Sequence, residues 1–120
     1  MLIKDEDKKK AVLRVLADEY SRKIFVSLID KAESVNSIIR NNNIPIATAY
    51  RRIAELEESG LLTIERGVLT EDGKRYDLYR SSFRQVNIFI DTGRVDVDVI
   101  PNRDDVSKLE GMWLSLGEVR

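Results

Sequence analysis

Glu33-Ser34-Val35-Asn36-Ser37-Ile38-Ile39-Arg40-Asn41-Asn42-Asn43-Ile44-Pro45-Ile46-Ala47-Thr48-Ala49-Tyr50-Arg51-Arg52-Ile53-Ala54-Glu55-Leu56-Glu57-Glu58-Ser59-Gly60 is the stretch that decides the architecture. Its pattern predicts two short helices joined by a tight turn. In the second half, Ala49, Ile53 and Leu56 recur at helical spacing, with Ile46 one turn earlier and Gly60 placed to stop the helix. With that stripe inward, Ala47, Thr48, Arg51, Glu55 and Glu58 face outward, and Arg51 stands nearly opposite the stripe. In the first half, Ser34 is a good N-cap and Val35, Ile38 and Ile39 point inward. Asn41-Asn42-Asn43 is a turn signal because Asn tolerates left-handed backbone. Pro45 suits the first turn of the following helix, residues 46–59.

Two helices at this separation match the helix-turn-helix spacing. A small first turn (Ala47, Thr48, Ala49) lets a helix end sink into a DNA major groove. A guanidinium one turn further on then reaches a phosphate or a guanine edge.

Upstream, residues 5–17 read as a first helix with Val12, Leu13, Val15 and Leu16 as its apolar residues. The acidic Asp5-Glu6-Asp7 complements the positive end of its dipole. Lys8-Lys9-Lys10 is a solvated face or a non-specific phosphate contact. Asp18 caps a second helix over 19–31, with Tyr20, Ile24, Phe25, Leu28 and Ile29 inward. Arg22 and Lys23 near its start are surface charges paired with Asp18 or Glu19.

After Gly60 the pattern becomes extended. Residues 61–70 and 74–82 flank Glu71-Asp72-Gly73, a hairpin signal. Two strands after a helix-turn-helix make a wing that lies along the DNA backbone, and Arg66, Lys74 and Arg75 fall on or near it. A second hairpin follows over 84–100. Val86, Ile88 and Ile90 alternate with Gln85, Asn87 and Phe89, and across Asp91-Thr92-Gly93-Arg94, Val95, Val97 and Val99 alternate with Asp96 and Asp98. Asp96 and Asp98 suit a hard cation or, more economically, a solvated strand face whose charges protect an edge strand. Pro101-Asn102 ends the sheet. Residues 104–116 then predict a helix with Val106, Leu109, Trp113 and Leu116 on one stripe, which pairs with its twin in a dimer or docks on its own core.

The expected fold class is therefore α+β, a winged helix-turn-helix with an additional C-terminal β-hairpin and a terminal helix. Residues 1–82 form the DNA-binding domain, and 83–120 pack on the same domain or form a dimer interface.

Composition removes other classes. The chain has no cysteine and no histidine, so thiolate metal sites, disulfides and Cys or His nucleophile chemistry are all excluded. No nucleophile with a base, phosphate-cradling glycine loop or metal cluster stands out, so no enzyme activity, metal or cofactor is expected. No apolar run approaches the roughly 20 residues of a bilayer span, and the first ten residues have no apolar signal core. A cytoplasmic protein without a membrane partner is expected. The formal net charge of -1 counts against a nucleic-acid binder, whose affinity comes largely from neutralised phosphates. By segment, however, residues 1–40 lean basic, 41–80 nearly balance and 81–120 lean acidic.

Leu16-Ala17-Asp18-Glu19-Tyr20-Ser21-Arg22-Lys23-Ile24-Phe25 resembles the start of the second helix in ArsR-type winged-helix regulators, where Leu-Ala-Asp-Pro-Thr-Arg precedes two basic residues and Ile-Leu. Ala49-Tyr50-Arg51-Arg52-Ile53-Ala54-Glu55-Leu56-Glu57-Glu58-Ser59-Gly60-Leu61-Leu62 resembles that family's recognition helix and its lead into the wing, most like archaeal members. The resemblance covers about residues 11–82. It departs where thiolate sensors carry Cys-Val-Cys, since Ser34-Val35-Asn36 stands there, and Glu19 replaces the usual proline. It implies a DNA-binding scaffold whose sensor, if it has one, is not a thiolate metal site.

Carried over by position, Thr48, Tyr50, Arg51 and Arg52 fall on the recognition helix. Arg51 is the foremost contact. Tyr50, at the edge of the core stripe, packs its ring while its hydroxyl reaches a phosphate. Arg52, on the opposite flank, is placed to pair with a neighbouring glutamate. The expected function is a sequence-specific transcriptional regulator, a homodimeric repressor of double-stranded DNA sites, with no effector indicated. The rival expectation is a winged helix used for protein contacts within a multi-subunit assembly, without DNA binding of its own.

Overall fold

The computed structural model describes residues 1–102. The helix expected over 104–116, with Trp113, lies outside the described residues.

The first helix, α1 (Glu6–Ala17), opens under Asp5, whose carboxylate accepts the Asp7 N–H at 3.0 Å. Asp18 ends α1 and caps α2 (Glu19–Ser27), accepting the Ser21 N–H at 2.8 Å. α2 stops four residues before the expected end. The carbonyls just past its end are taken from elsewhere: Leu28 O accepts the Ser81 N–H at 3.0 Å, and Ile29 O accepts Arg80 Nε at 3.1 Å and Asn102 Nδ2 at 2.8 Å. With those acceptors occupied, further helical turns have no gain to offer.

Ser34 caps α3 (Val35–Asn42) through the Ser37 N–H at 3.2 Å. Asn43 adopts φ 52°, the left-handed conformation expected of this Asn run, and the Ile44 N–H returns to Ile39 O at 3.3 Å. The next helix, α4 (Ile46–Glu58), buries Ala49, Ile53 and Leu56. It ends at Gly60 (φ 84°), where the Gly60 N–H donates to Glu57 O and the Leu61 N–H to Leu56 O. This paired closure satisfies the last carbonyls and needs a residue without a Cβ.

One expected core position is corrected. Ile46 is 66% exposed, and Ile44 is buried instead. Ile46 has the right phase, but helical side chains lean toward the N-terminus, so that of the first residue leans beyond the packed region. The left-handed turn at Asn43 brings Ile44 in to fill the core there.

The wing is β2 (Leu62–Leu69) paired antiparallel with β3 (Arg75–Ser81). Its turn closes with the Gly73 N–H on Thr70 O at 3.0 Å and Gly73 at φ 84°, while the Thr70 hydroxyl bonds the Asp72 carboxylate. A reciprocal backbone bridge, Glu33 with Tyr79 at 3.0 and 2.9 Å, ties β3 to the start of α3. At the wing's base the buried Arg80 pairs with Glu65 at 2.9 Å and reaches Asn102 Oδ1 at 3.5 Å.

The second sheet has the order β1-β5-β4, from β1 (Leu2–Ile3), β4 (Phe83–Asp91) and β5 (Arg94–Pro101). β1 is too short to show a pattern in sequence. Its pairing with Val97 and Asp98 makes β5 the middle strand there, so the expectation that Asp98 guards an edge is corrected: the edges are β1 and β4. Asp98 accepts the Met1 amino group at 3.0 Å and Asp96 pairs with Arg94 at 3.0 Å. Ile3, Phe83, Val97 and Val99 are buried in the same core as Val12, Ile24, Phe25, Leu28, Ile38, Ile53 and Leu56, with Val86 and Ile88 packed against it. Ile90, expected on the apolar face, is 74% exposed near the hairpin tip, past the last core residue of its strand. The helices, the α3–turn–α4 unit, the wing and the added hairpin make this an α+β winged helix-turn-helix.

Candidate nucleic-acid interface

The character of α4 changes along its length. Its N-terminal half presents Ala47, the half-buried Thr48, Tyr50 and Arg51, whereas Glu55, Glu57 and Glu58 line the exposed part of the C-terminal half. Pro45 occupies the N-cap position and supplies no side-chain hydrogen bond, so the first-turn amides are uncapped by side chains. Uncapped amides at the positive end of a helix dipole favour an anion. The charge distribution therefore makes the first two turns of this helix more favourable to an anion than the last two.

The seven expected contact residues are used differently. Arg51 is exposed and has no side-chain partner among the described residues. Its neighbour Arg52 is committed inward, with Nη2 on Asp18 Oδ1 at 3.0 Å and Nη1 on Glu55 Oε1 at 3.1 Å. Its Nε is buried without a hydrogen-bond partner. The Ser21 N–H, joined by the charge of Arg52, holds the Asp18 carboxyl below its ordinary range, so Asp18 remains an anion that can cap α2 and grip α4 together. The hydrogen bond to Glu55 likewise raises Arg52 above its ordinary value. Arg52 thus fixes the pose of α4 against the α1–α2 junction, which leaves Arg51 as the outward guanidinium.

On the wing, Arg66 and Lys74 are exposed, with no side-chain partner among the described residues. Arg75 is also exposed but folds back on its own hairpin. It lies 3.5 Å from Asp77 Oδ1, and its Nε is 2.6 Å from where a Cβ on Gly67 would stand.

Sequence reasoning missed how α4 meets the wing. A cleft of about 250 Å³ between the start of α3, α4 and β3 is lined by Ser34, Val35, Asn36, Tyr50, Tyr76, Asp77 and Tyr79. Tyr50 accordingly turns toward the wing. Burial raises the Tyr79 hydroxyl above its ordinary pKa, with the Glu57 and Asp77 carboxylates adding to the shift, so it stays a hydrogen-bond donor. Tyr76 and Tyr79, three residues apart on an expected strand, share no alternating face, so strand periodicity gave no signal for a wall of this cleft. Glu33, whose backbone bridges the wing and whose carboxylate accepts Asn41 Nδ2 at 2.6 Å, carried no signal at all.

No family model matches the chain, and no curated protein matches it. Among solved structures, the chain is similar to an ArsR family transcriptional regulator, with 14% sequence identity and a TM-score of 0.45. The alignment covers 96% of this chain and 91% of the other. The winged-helix assignment rests on the element order and packing described above. Among the described residues, no helix is long and apolar enough to cross a membrane, and no group of three or more His, Cys, Asp or Glu could hold a metal ion.

Proposed function

We propose that the chain is a sequence-specific DNA-binding transcriptional regulator, a cytoplasmic homodimeric repressor that reads the major groove with α4. The observation that carries this reading is the division of labour on α4. Two adjacent arginines stand at the same level, one locked inward by Asp18 and Glu55 and the other exposed beside a small first turn with uncapped amides. Arg51 reads a base edge or a phosphate, Thr48 and Ala47 fit against the groove floor, and Tyr50 offers its hydroxyl to a phosphate. Arg66 and Lys74, with Arg75 once its contact to Asp77 opens, hold the backbone beside the wing. In a dimer, two such helices enter successive major grooves about 34 Å apart and favour a pseudo-palindromic site.

A second reading is favoured by Ile46 and Tyr50, both more than half exposed one turn apart on α4. Apolar groups presented in that way suit a protein partner within an assembly.

Fluorescence anisotropy of the purified protein separates the two. DNA from upstream of its own gene is titrated beside a random duplex, with salt varied in both. Preference for the upstream DNA, with affinity falling as salt rises, is the expected outcome. No preference, or no binding at low salt, overturns the regulator reading in favour of protein contacts.

A further inference from the structure

We propose that the outer edge of β4 is a self-association seam, at which two copies of this chain pair their β4 strands antiparallel into one continuous sheet. This deepens the homodimer reading above by naming its interface, and it holds whether or not α4 binds DNA.

The direction of the free backbone groups follows from β1. The Val99 N–H donates to Met1 O at 2.8 Å and Val99 O accepts from the Met1 amino group at 2.7 Å, so the main-chain groups of Val99 face away from β4. Val86 lies opposite Val99, so its N–H and C=O face away from β5. In an antiparallel ladder this alternates every second residue, and Ile88 and Ile90 point outward in the same way. These three residues thus present a row of main-chain donors and acceptors at the sheet edge, unpaired among the described residues.

Edge strands of monomers are usually blunted by Lys, Pro, a bulge or shortness. β4 has nine residues, with no lysine and no proline, and its single irregularity lies at its start, between Phe83 and Gln85. Its charges stand at its two ends, Arg84 and Asp91, with Gln85 to Ile90 uncharged between them.

A second copy is the occupant that this strand fits. Antiparallel self-pairing about a two-fold axis brings the Arg84 end of one strand beside the Asp91 end of the other, so the end charges are complementary. A two-fold axis normal to the sheet also keeps each side chain on its own face. With the axis at Ile88, Val86 of one copy meets Ile90 of the other and Ile88 meets its counterpart, a β-branched row on one face. Asn87 and Phe89 face each other on the opposite side. Ile90 and Phe89, both strongly exposed in the single chain, gain neighbours by this pairing.

The test is sedimentation velocity of the full chain beside two variants, Ile90→Lys and Ile90→Pro. Ile90 is exposed and its N–H points outward, so either change spares the core and the β4–β5 ladder, which circular dichroism checks. The wild type is expected to sediment as a dimer and both variants as monomers with an unchanged fold. A monomeric wild type, or variants as dimeric as the wild type, overturns the seam. Hydrogen exchange closes the remaining route. Protection of the Val86, Ile88 and Ile90 amides is expected to rise with protein concentration. Val86 and Ile88 amides as protected in a monomeric Ile90→Lys variant as in the wild type would overturn the proposal. DNA anisotropy on the monomeric variants reports separately on the regulator reading.

Discussion

The two hairpins of this protein have similar lengths and similar strand propensity, yet they relate to the core in opposite ways. The wing, β2 and β3, is buried only at its base, where Leu62, Thr63, Arg80 and Ser81 lie, and its outer half carries Arg66, Leu69, Lys74, Arg75 and Tyr76 into solvent. The second hairpin is buried on one face from its base to short of its tip, with Phe83, Val97 and Val99 inaccessible, Val86 and Ile88 packed on the core and β1 added beyond β5. One hairpin is an arm held at the shoulder, and the other is a wall of the core. A hydrophobic alternation kept up on both strands separates the two cases, whereas a hairpin signal at the turn does not.

The largest test of that contrast is Phe83→Ala. Phe83 begins the second hairpin and is fully buried, so its truncation should cost about 3–5 kcal/mol of global stability. Chemical denaturation measures this. A loss much below that range would show that the hairpin is an appendage after all, and that residues 1–82 stand without it.

The next effect concerns binding. Arg51→Ala should weaken binding to a cognate site by about 1–3 kcal/mol if the guanidinium reads a base, and leave the melting temperature unchanged because the side chain is exposed. Anisotropy titration and thermal melting together check both halves. Unchanged affinity would take Arg51 off the contact list and shift attention to the wing.

Much of this could be read in the sequence, for identifiable reasons. Asp18, Ser34, Asn43 and Gly60 perform the capping and turn roles that their chemistry dictates, because those roles are local. The stripe of Ala49, Ile53 and Leu56 was visible because helical periodicity repeats. What was hidden depended on distant partners. α2 stops early because Ser81, Arg80 and Asn102 claim the Leu28 and Ile29 carbonyls just past it, from more than fifty residues away. The strand Leu2–Ile3 exists only because β5 offers it an edge. Helical phase already separates Arg51 from Arg52 and offers Arg52 a neighbouring glutamate, but its bond to Asp18, at the junction of two other helices, could not be read from the sequence. The wing cleft of Tyr50, Tyr76 and Tyr79 is likewise a meeting of separate elements.

A smaller effect probes the wing turn alone. Gly73 has φ 84° and open space around it, so Gly73→Ala meets no side chain and adds only left-handed backbone strain, about 1–2 kcal/mol. Because the outer wing has little tertiary contact, that strain should appear as faster amide exchange at Gly73 and Lys74 and leave the core amides as they were. Slowed folding or lost core protection would mean that the wing is coupled to the core more tightly than its exposure suggests.

The smallest effect is also the most diagnostic of what the wing is for. Lys74 stands at the exposed turn and its side chain has no partner among the described residues, so Lys74→Ala should leave folding unchanged within about 0.5 kcal/mol. If the wing follows a DNA backbone, the lysine displaces a condensed counterion, and its loss should lower the salt dependence of binding by about one unit of slope. That loss should be the same on cognate and random duplexes, since a phosphate carries no sequence. Arg51→Ala should instead narrow the gap between the two. A Lys74 variant that changed sequence preference would mean that the wing reads bases, and the division between an α4 that specifies and a wing that positions would have to be redrawn.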